Sequence, residues 1–225
     1  MIKGSSLLIF TSADGYEYTL KSSVPAEAPP GAAHCSSPGE NTLVELAEGK
    51  GWLLVSRCGP GQQLLAWTSI DAKSWQRHTL PPLMRGVMPV AVRMDSGAIV
   101  LTTGRGGLAI WLNVEGDGKA WTLTNVGAAH NTLVLRNNKL NGSALQYTDA
   151  FVQYNVTHET TAYSTLRKLG PESGVMCYDR LSSSDAIPGP AKKPSWNGPP
   201  GNRDANDHMF CMRFKISVSE PKVEQ

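Results

Sequence analysis

The chain has 225 residues, 40% of them hydrophobic, with 21 Lys and Arg against 19 Asp and Glu and a formal net charge of +2. That composition fits an ordinary globular protein, one large all-β domain or two small ones. The basic residues are scattered, not striped, so no nucleic acid or other polyanion partner is expected.

The first residues, MIKGSSLLIF, hold too few apolar side chains for a signal-peptide core or a membrane span. The chain as given is therefore expected to be neither exported nor membrane-bound. Beyond them no segment has the 3.6-residue apolar period of a long helix. Short apolar runs alternate instead with turns rich in Gly, Asp, Asn and Ser. In chain order the runs are SLLIF (6–10), NTLVEL (41–46), GWLLVSR (51–57), QLLAWTS (63–69), MPVAVRM (88–94), GAIVLTTG (97–104) and LAIWLNV (108–114). They continue with NTLVLR (131–136), LQYTDAFVQYNV (145–156), TAYSTLRKL (161–169), GVMCYDRL (174–181) and MFCMRFKISV (209–218). Each is read as a strand, and many short strands with turn signals point to a sandwich, barrel or propeller.

From Ser182 to Asp207 the composition shifts to Ser, Pro, Gly and Lys, which reads as a flexible insertion. Residues 208–218 then resume alternation as a final strand, placed to pair with N-terminal strands and close a ring, and 219–225 read as a disordered tail. The four cysteines, Cys35, Cys58, Cys177 and Cys211, are far apart and form no CxxC pair, so no zinc site is expected. They read as free thiols, with Cys58, Cys177 and Cys211 packing in or beside apolar runs. Asn141-Gly-Ser143 and Asn155-Val-Thr157 match the glycosylation acceptor pattern, which matters only for a secreted protein.

A repeat selects among the all-β architectures. Ser12, Asp14, Gly15 and Tyr18 are followed in the same order by Ser69, Asp71, Ser74 and Trp75, and more loosely by Asn113, Asp117, Gly118 and Trp121. The closing aromatics lie 57 and 46 residues apart. A period near 40 to 50 residues is that of propeller blades. In such a turn the Asp carboxylate accepts backbone N–H groups, Gly permits positive φ, and the aromatic packs back between sheets. The role of Asp14, Asp71 and Asp117 is accordingly structural.

These turns resemble the Asp-box, S-x-D-x-G-x-T-W, of the sialidase (neuraminidase) superfamily, and the segments between them resemble that family further. Glu40-Asn-Thr-Leu-Val-Glu45-Leu46, then Leu53-Leu54-Val55-Ser56-Arg57, match its order of a Glu that opens one strand and an Arg that ends the next. Met88-Pro89-Val90, Asp95-Ser96-Gly97 and Gly104-Arg105 match its next strand, turn and arginine. Ala162-Tyr163-Ser164-Thr165-Leu166 and Tyr178-Asp179 match its tyrosine strand and the strand after it, with Asp in place of the usual Glu.

The resemblance covers about residues 5–181 and implies a sialidase-type β-propeller, six-bladed in the family, with about four blades in residues 1–181 here. It also implies a retaining exo-α-sialidase acting on sialylated glycans or other acidic carbohydrate, with no cofactor and no metal. A substrate carrying a carboxylate at its anomeric carbon suits arginine forks and repels a carboxylate nucleophile. Tyr163 would be the nucleophile, Glu40 the base that takes its proton, Arg57 and Arg105 the second and third carboxylate-binding arginines, and Asp179 a residue orienting an arginine. The family's first arginine and its acid/base Asp have no counterpart, so the chain reads as a C-terminal portion.

Read singly, each residue has a plainer explanation, as a solvated strand-end arginine, a packing tyrosine or a loop carboxylate. Trp52, Trp67 and Trp111 read as packing between blades, and His130 as a loop residue near the mouth of the site. The alternatives to the sialidase reading are a non-catalytic glycan-binding or interaction propeller, and a hydrolase of another glycan.

Overall fold

The computed structural model describes residues 6–25, 38–58, 63–104, 108–136, 163–180 and 208–217. These form an all-β assembly of four antiparallel sheets with one helix among the described residues. The first sheet is β1 (Ser6–Thr11) with β2 (Thr19–Pro25). The second, in spatial order, is β3 (Pro38–Glu45), β4 (Trp52–Cys58), β5 (Gln63–Ser69) and β6 (Gln76–His78). The third is β7 (Val87–Arg93), β8 (Ile99–Gly104), β9 (Ala109–Asn113) and β10 (Thr122–Asn125). Helix α1 (Val126–Arg136) comes next, and the fourth sheet is β11 (Ser164–Gly170), β12 (Ser173–Arg180) and β13 (His208–Lys215).

Side chains on a strand alternate between its two faces, and here the alternation distributes them between successive cores. On β4, Leu53 and Val55 enter the core between the second and third sheets, while Leu54 enters the core between the first and second. On β8, Ile99 and Leu101 face the second sheet, and Val100 faces the fourth. All six residues of β8 are buried, which is why it reads as a continuous apolar run. Three apolar cores in series therefore stack the four sheets face to face. Trp67 and Trp111 pack into these cores as expected.

The acidic turns adopt the hydrogen-bonded form read from the sequence. Asp14 Oδ1 accepts the N–H groups of Tyr16 and Glu17 and the Ser12 hydroxyl, and Asp71 Oδ1 accepts those of Lys73 and Ser74 with the Ser69 hydroxyl. The backbone donors of Ser74 and Lys73 hold the Asp71 carboxyl down at about 2. In the third copy Asn113 takes the place of the serine and donates through Nδ2 to Asp117 Oδ1. The residue after each Asp is left-handed, at φ 80° for Gly15, 56° for Ala72 and 76° for Gly118. Trp75 and Trp121 each pack against the preceding sheet. Tyr18 departs from the expected pattern: it is 64% exposed, because no described sheet lies over the first one.

Two further expectations need correction. NTLVLR is not a strand: it is the second half of α1, whose start is capped by Asn125 Oδ1 accepting the Ala128 N–H at 2.9 Å. The thiol reading is also wrong. Cys177 and Cys211 face each other across β12 and β13, with Cα atoms 4.1 Å apart, and form a disulfide; Cys58 is disulfide-bonded as well. Such bonds persist in oxidising surroundings. The final strand, β13, pairs with β12, and β1 with β2; among the described residues no N-terminal strand pairs with β13. The insertion 182–207, the tail 219–225, the run 145–156 and both glycosylation patterns lie outside the described residues. Among the described residues no helix is long and apolar enough to cross a membrane.

Candidate functional site

The leading strands of the second, third and fourth sheets, β3, β7 and β11, are neighbours in space. The Met88 N–H reaches Glu40, the Ala91 N–H reaches Thr42 Oγ1, and Arg93 Nη1 reaches the Leu46 carbonyl. The numbers rise together, so β3 and β7 run parallel. The far ends of β7 and β11 are tied as well, by Asp95 N–H to the Pro171 carbonyl and by Glu172 accepting from Ser96. All three strands therefore begin at one rim and finish at the other. Because β4 and β12 are antiparallel to β3 and β11, their C-terminal ends return to the starting rim. Topology thus collects Glu40, Arg57, Met88, Tyr163 and Asp179 at one end of the sheets. The turns carrying Asp71 and Asp117 are at the opposite end, where the Ala47 N–H donates to the Gly116 carbonyl.

Glu40 occupies a β-bulge. Gly39 pairs with Arg57 and Asn41 with Ser56, which leaves Glu40 as the extra residue, held at φ 53°. Its Oε2 lies 3.2 Å from Arg57 Nη1 and accepts the Met88 N–H at 2.9 Å. Both side chains are about a quarter exposed, so the pair remains open to solvent and to an incoming group. Met88 is itself left-handed, at φ 48°, in an irregularity between Val87 and Val90. Two non-glycine residues in this conformation meet through one hydrogen bond, each storing roughly 1–2 kcal/mol of backbone strain. Bulges and strain of this kind concentrate where a side chain must be aimed.

At the other side of the rim, the Tyr163 N–H donates to Asp179 Oδ1 at 3.1 Å, and the Asp179 N–H donates to the Tyr163 carbonyl at 3.4 Å. Asp179 thus grips the backbone of the proposed nucleophile. Tyr163 is 40% exposed at the rim. Among the described tyrosines the buried one is Tyr178 on the neighbouring strand, at 1% exposure. Burial pushes the Tyr178 phenol up to about 12, so it stays protonated across the neutral range. Its hydroxyl lies 2.7 Å from Nδ1 of His130, which is 3% exposed on α1 and not a loop residue at a mouth.

The rim brings together Glu40 with Arg57 and Tyr163 with Asp179, while Arg105 lies outside the described residues. Gly104, the residue before it, is opposite Val87 on the same rim. The Met88 N–H and the His130–Tyr178 pair were not legible in the sequence, because a bulge and a helix cap leave little compositional mark. Asn125 was the available signal for the cap. Among the described residues no group of three or more His, Cys, Asp or Glu gathers in a way that could hold a metal ion.

No protein-family model matches this chain, and no curated protein does. Among solved structures it is similar to a mutant of NanB sialidase from Streptococcus pneumoniae, with a TM-score of 0.49 and 16% identity over 78% of this chain and 24% of that one. It is also similar to a protein of unknown function from Dyadobacter fermentans DSM 18053, with a TM-score of 0.47 and 17% identity over 79% of this chain and 42% of that one. The chain thus spans less than half the length of either.

Proposed function

We propose that the chain carries part of a retaining exo-α-sialidase site, on sheets arranged as blades of a sialidase-type propeller. The observation that carries this reading is the gathering of Glu40, Arg57, Tyr163 and Asp179 at the ends of successive sheets, at the rim opposite the acidic turns. In this mechanism Arg57, with Arg105, forks onto the carboxylate of a terminal sialic acid. The Tyr163 oxygen attacks the anomeric carbon, Glu40 takes the phenolic proton, and the bond to the leaving oxygen breaks as a covalent glycosyl-tyrosine forms. Water then attacks the same carbon as its bond to the Tyr163 oxygen breaks, Glu40 returns its proton to that oxygen, water's own proton passes to the conjugate base of the general acid, and the sugar leaves with its configuration retained. Protonation of the leaving oxygen belongs to an acid that has no counterpart among the residues matched to the family.

A second reading, a glycan-binding propeller without catalysis, is favoured by one feature: Glu40 Oε2 already has two partners, Arg57 and the Met88 N–H. The disulfides fit a chain that folds in an oxidising compartment, where glycans are displayed. Hydrolysis of a fluorogenic α-sialoside by the purified chain, with Tyr163→Phe as control, separates the readings. Turnover abolished in the variant supports the enzyme. Absent turnover, together with binding to a sialylated glycan array that Arg57→Ala removes, supports the binding module.

A further inference from the structure

Helix α1 is fastened at its start, where the N–H groups of Val126 and Gly127 both donate to the Leu108 carbonyl just before β9. One turn later it delivers His130 into the core between the third and fourth sheets. There the imidazole meets Tyr178 and Phe210 edge-on, with ring centroids 5.6 and 4.7 Å away and interplanar angles of 71° and 82°. Tyr178 and Phe210 are themselves cross-strand partners on β12 and β13, stacked at 6.0 Å. The Tyr178 hydroxyl lies 2.7 Å from His130 Nδ1, which provides the partner that a buried phenol requires.

The place of Tyr178 on its strand links this pair to the rim. The next residue on β12 is Asp179, which points to the other face of the strand and grips the Tyr163 backbone. Ser164, directly after Tyr163, sits opposite Tyr178 in the β11–β12 register, and its hydroxyl lies 3.3 Å from Thr102 Oγ1 on β8. The backbone of Tyr163 is therefore held by Asp179, whose neighbour on β12, Tyr178, is bonded to a helix fastened to the neighbouring sheet.

We infer that His130 is a positioning residue: through its bond to the Tyr178 hydroxyl it fixes the end of β12, and with it Asp179 and the backbone of Tyr163 at the rim. The inference rests on the proposed function for its catalytic consequence, but the positioning itself is measurable without turnover.

The test compares the whole chain with Tyr178→Phe, which keeps the ring stack and removes the hydroxyl, with His130→Ala, and with His130→Asn, which restores a polar nitrogen near the Nδ1 position. Amide hydrogen exchange is measured by NMR at Tyr163 and Asp179, with the amides of β4 and β5 as internal controls. Exchange at Tyr163 is expected to rise at least about tenfold in Tyr178→Phe and His130→Ala, less in His130→Asn, with the controls unmoved. If a fluorogenic α-sialoside is turned over, kcat falls on the order of tenfold to a hundredfold while KM stays within about twofold, since misplacing a nucleophile costs rate while the arginine on β4 still binds. Unchanged exchange at Tyr163, or a rise shared equally by β4 and β5, overturns the inference. Raised exchange in a chain that never hydrolyses the sialoside overturns the enzyme reading and leaves the positioning role standing.

Discussion

Glu40 separates a structural from a chemical role, because its contacts can be removed one at a time. Glu40→Gln keeps a side-chain oxygen for the Met88 N–H and removes the charge facing Arg57 at 3.2 Å. An ion pair whose partners are both about a quarter exposed contributes at most about 1 kcal/mol. In a chain of this size that lowers Tm by roughly 2–4 °C. On the proposed mechanism, in which Glu40 takes the Tyr163 proton, the same substitution is expected to lower turnover of a fluorogenic α-sialoside by roughly 10²–10⁴-fold.

Glu40→Gly tests the backbone. Relief of the left-handed residue at φ 53° returns roughly 1–2 kcal/mol, against roughly 1.5–3 kcal/mol for the lost charged acceptor and about 1 kcal/mol for the ion pair. The net loss is roughly 0.5–3 kcal/mol, centred slightly beyond that of Gln. Calorimetry and steady-state kinetics on the two variants measure both quantities. Turnover retained in Glu40→Gln would refute the role of Glu40 as base. A Tm drop of about ten degrees or more in the same variant would show that the carboxylate is structural and the strain argument misplaced.

Two further predictions concern stability. Ala72 stands left-handed where the other two acidic turns have glycine, so Ala72→Gly should stabilise the chain by about 1 kcal/mol, and Gly15→Ala should do the reverse, as read by thermal melts. An unchanged melting temperature in both would contradict the reading of that position. The Cys177–Cys211 bond spans 34 residues, so the double Ser variant should lose about 4 kcal/mol, measured by urea unfolding under non-reducing conditions. A loss below about 1 kcal/mol would mean that β13 stays ordered on β12 in the unfolded reference or does not need the bond.

Local pattern was enough for much of this molecule. Alternation along runs such as WLLVSR and GAIVLTTG specified strands, since each side chain's face is set by the pleat alone. The acidic turns were equally legible, because the Asp, its donors and the left-handed residue lie within a few positions of one another. The order of Glu40, Arg57, Tyr163 and Asp179 was legible only as a resemblance to a family pattern, because no local rule links positions so far apart.

Contacts between distant segments were decided by the tertiary structure. The Met88 N–H meets Glu40 across 48 residues, through two bulges that have no periodic signature. Cys177 finds Cys211 only because β13 returns beside β12, and His130 finds Tyr178 only because Asn125 caps a helix where an apolar run suggested a strand. Sequence alone determined most of the strands and the acidic turns, since those choices depend on neighbours along the chain, but not the helix at 126–136. Packing of the sheets determined which side chains meet at the rim and which tyrosine is buried, since those depend on neighbours in space.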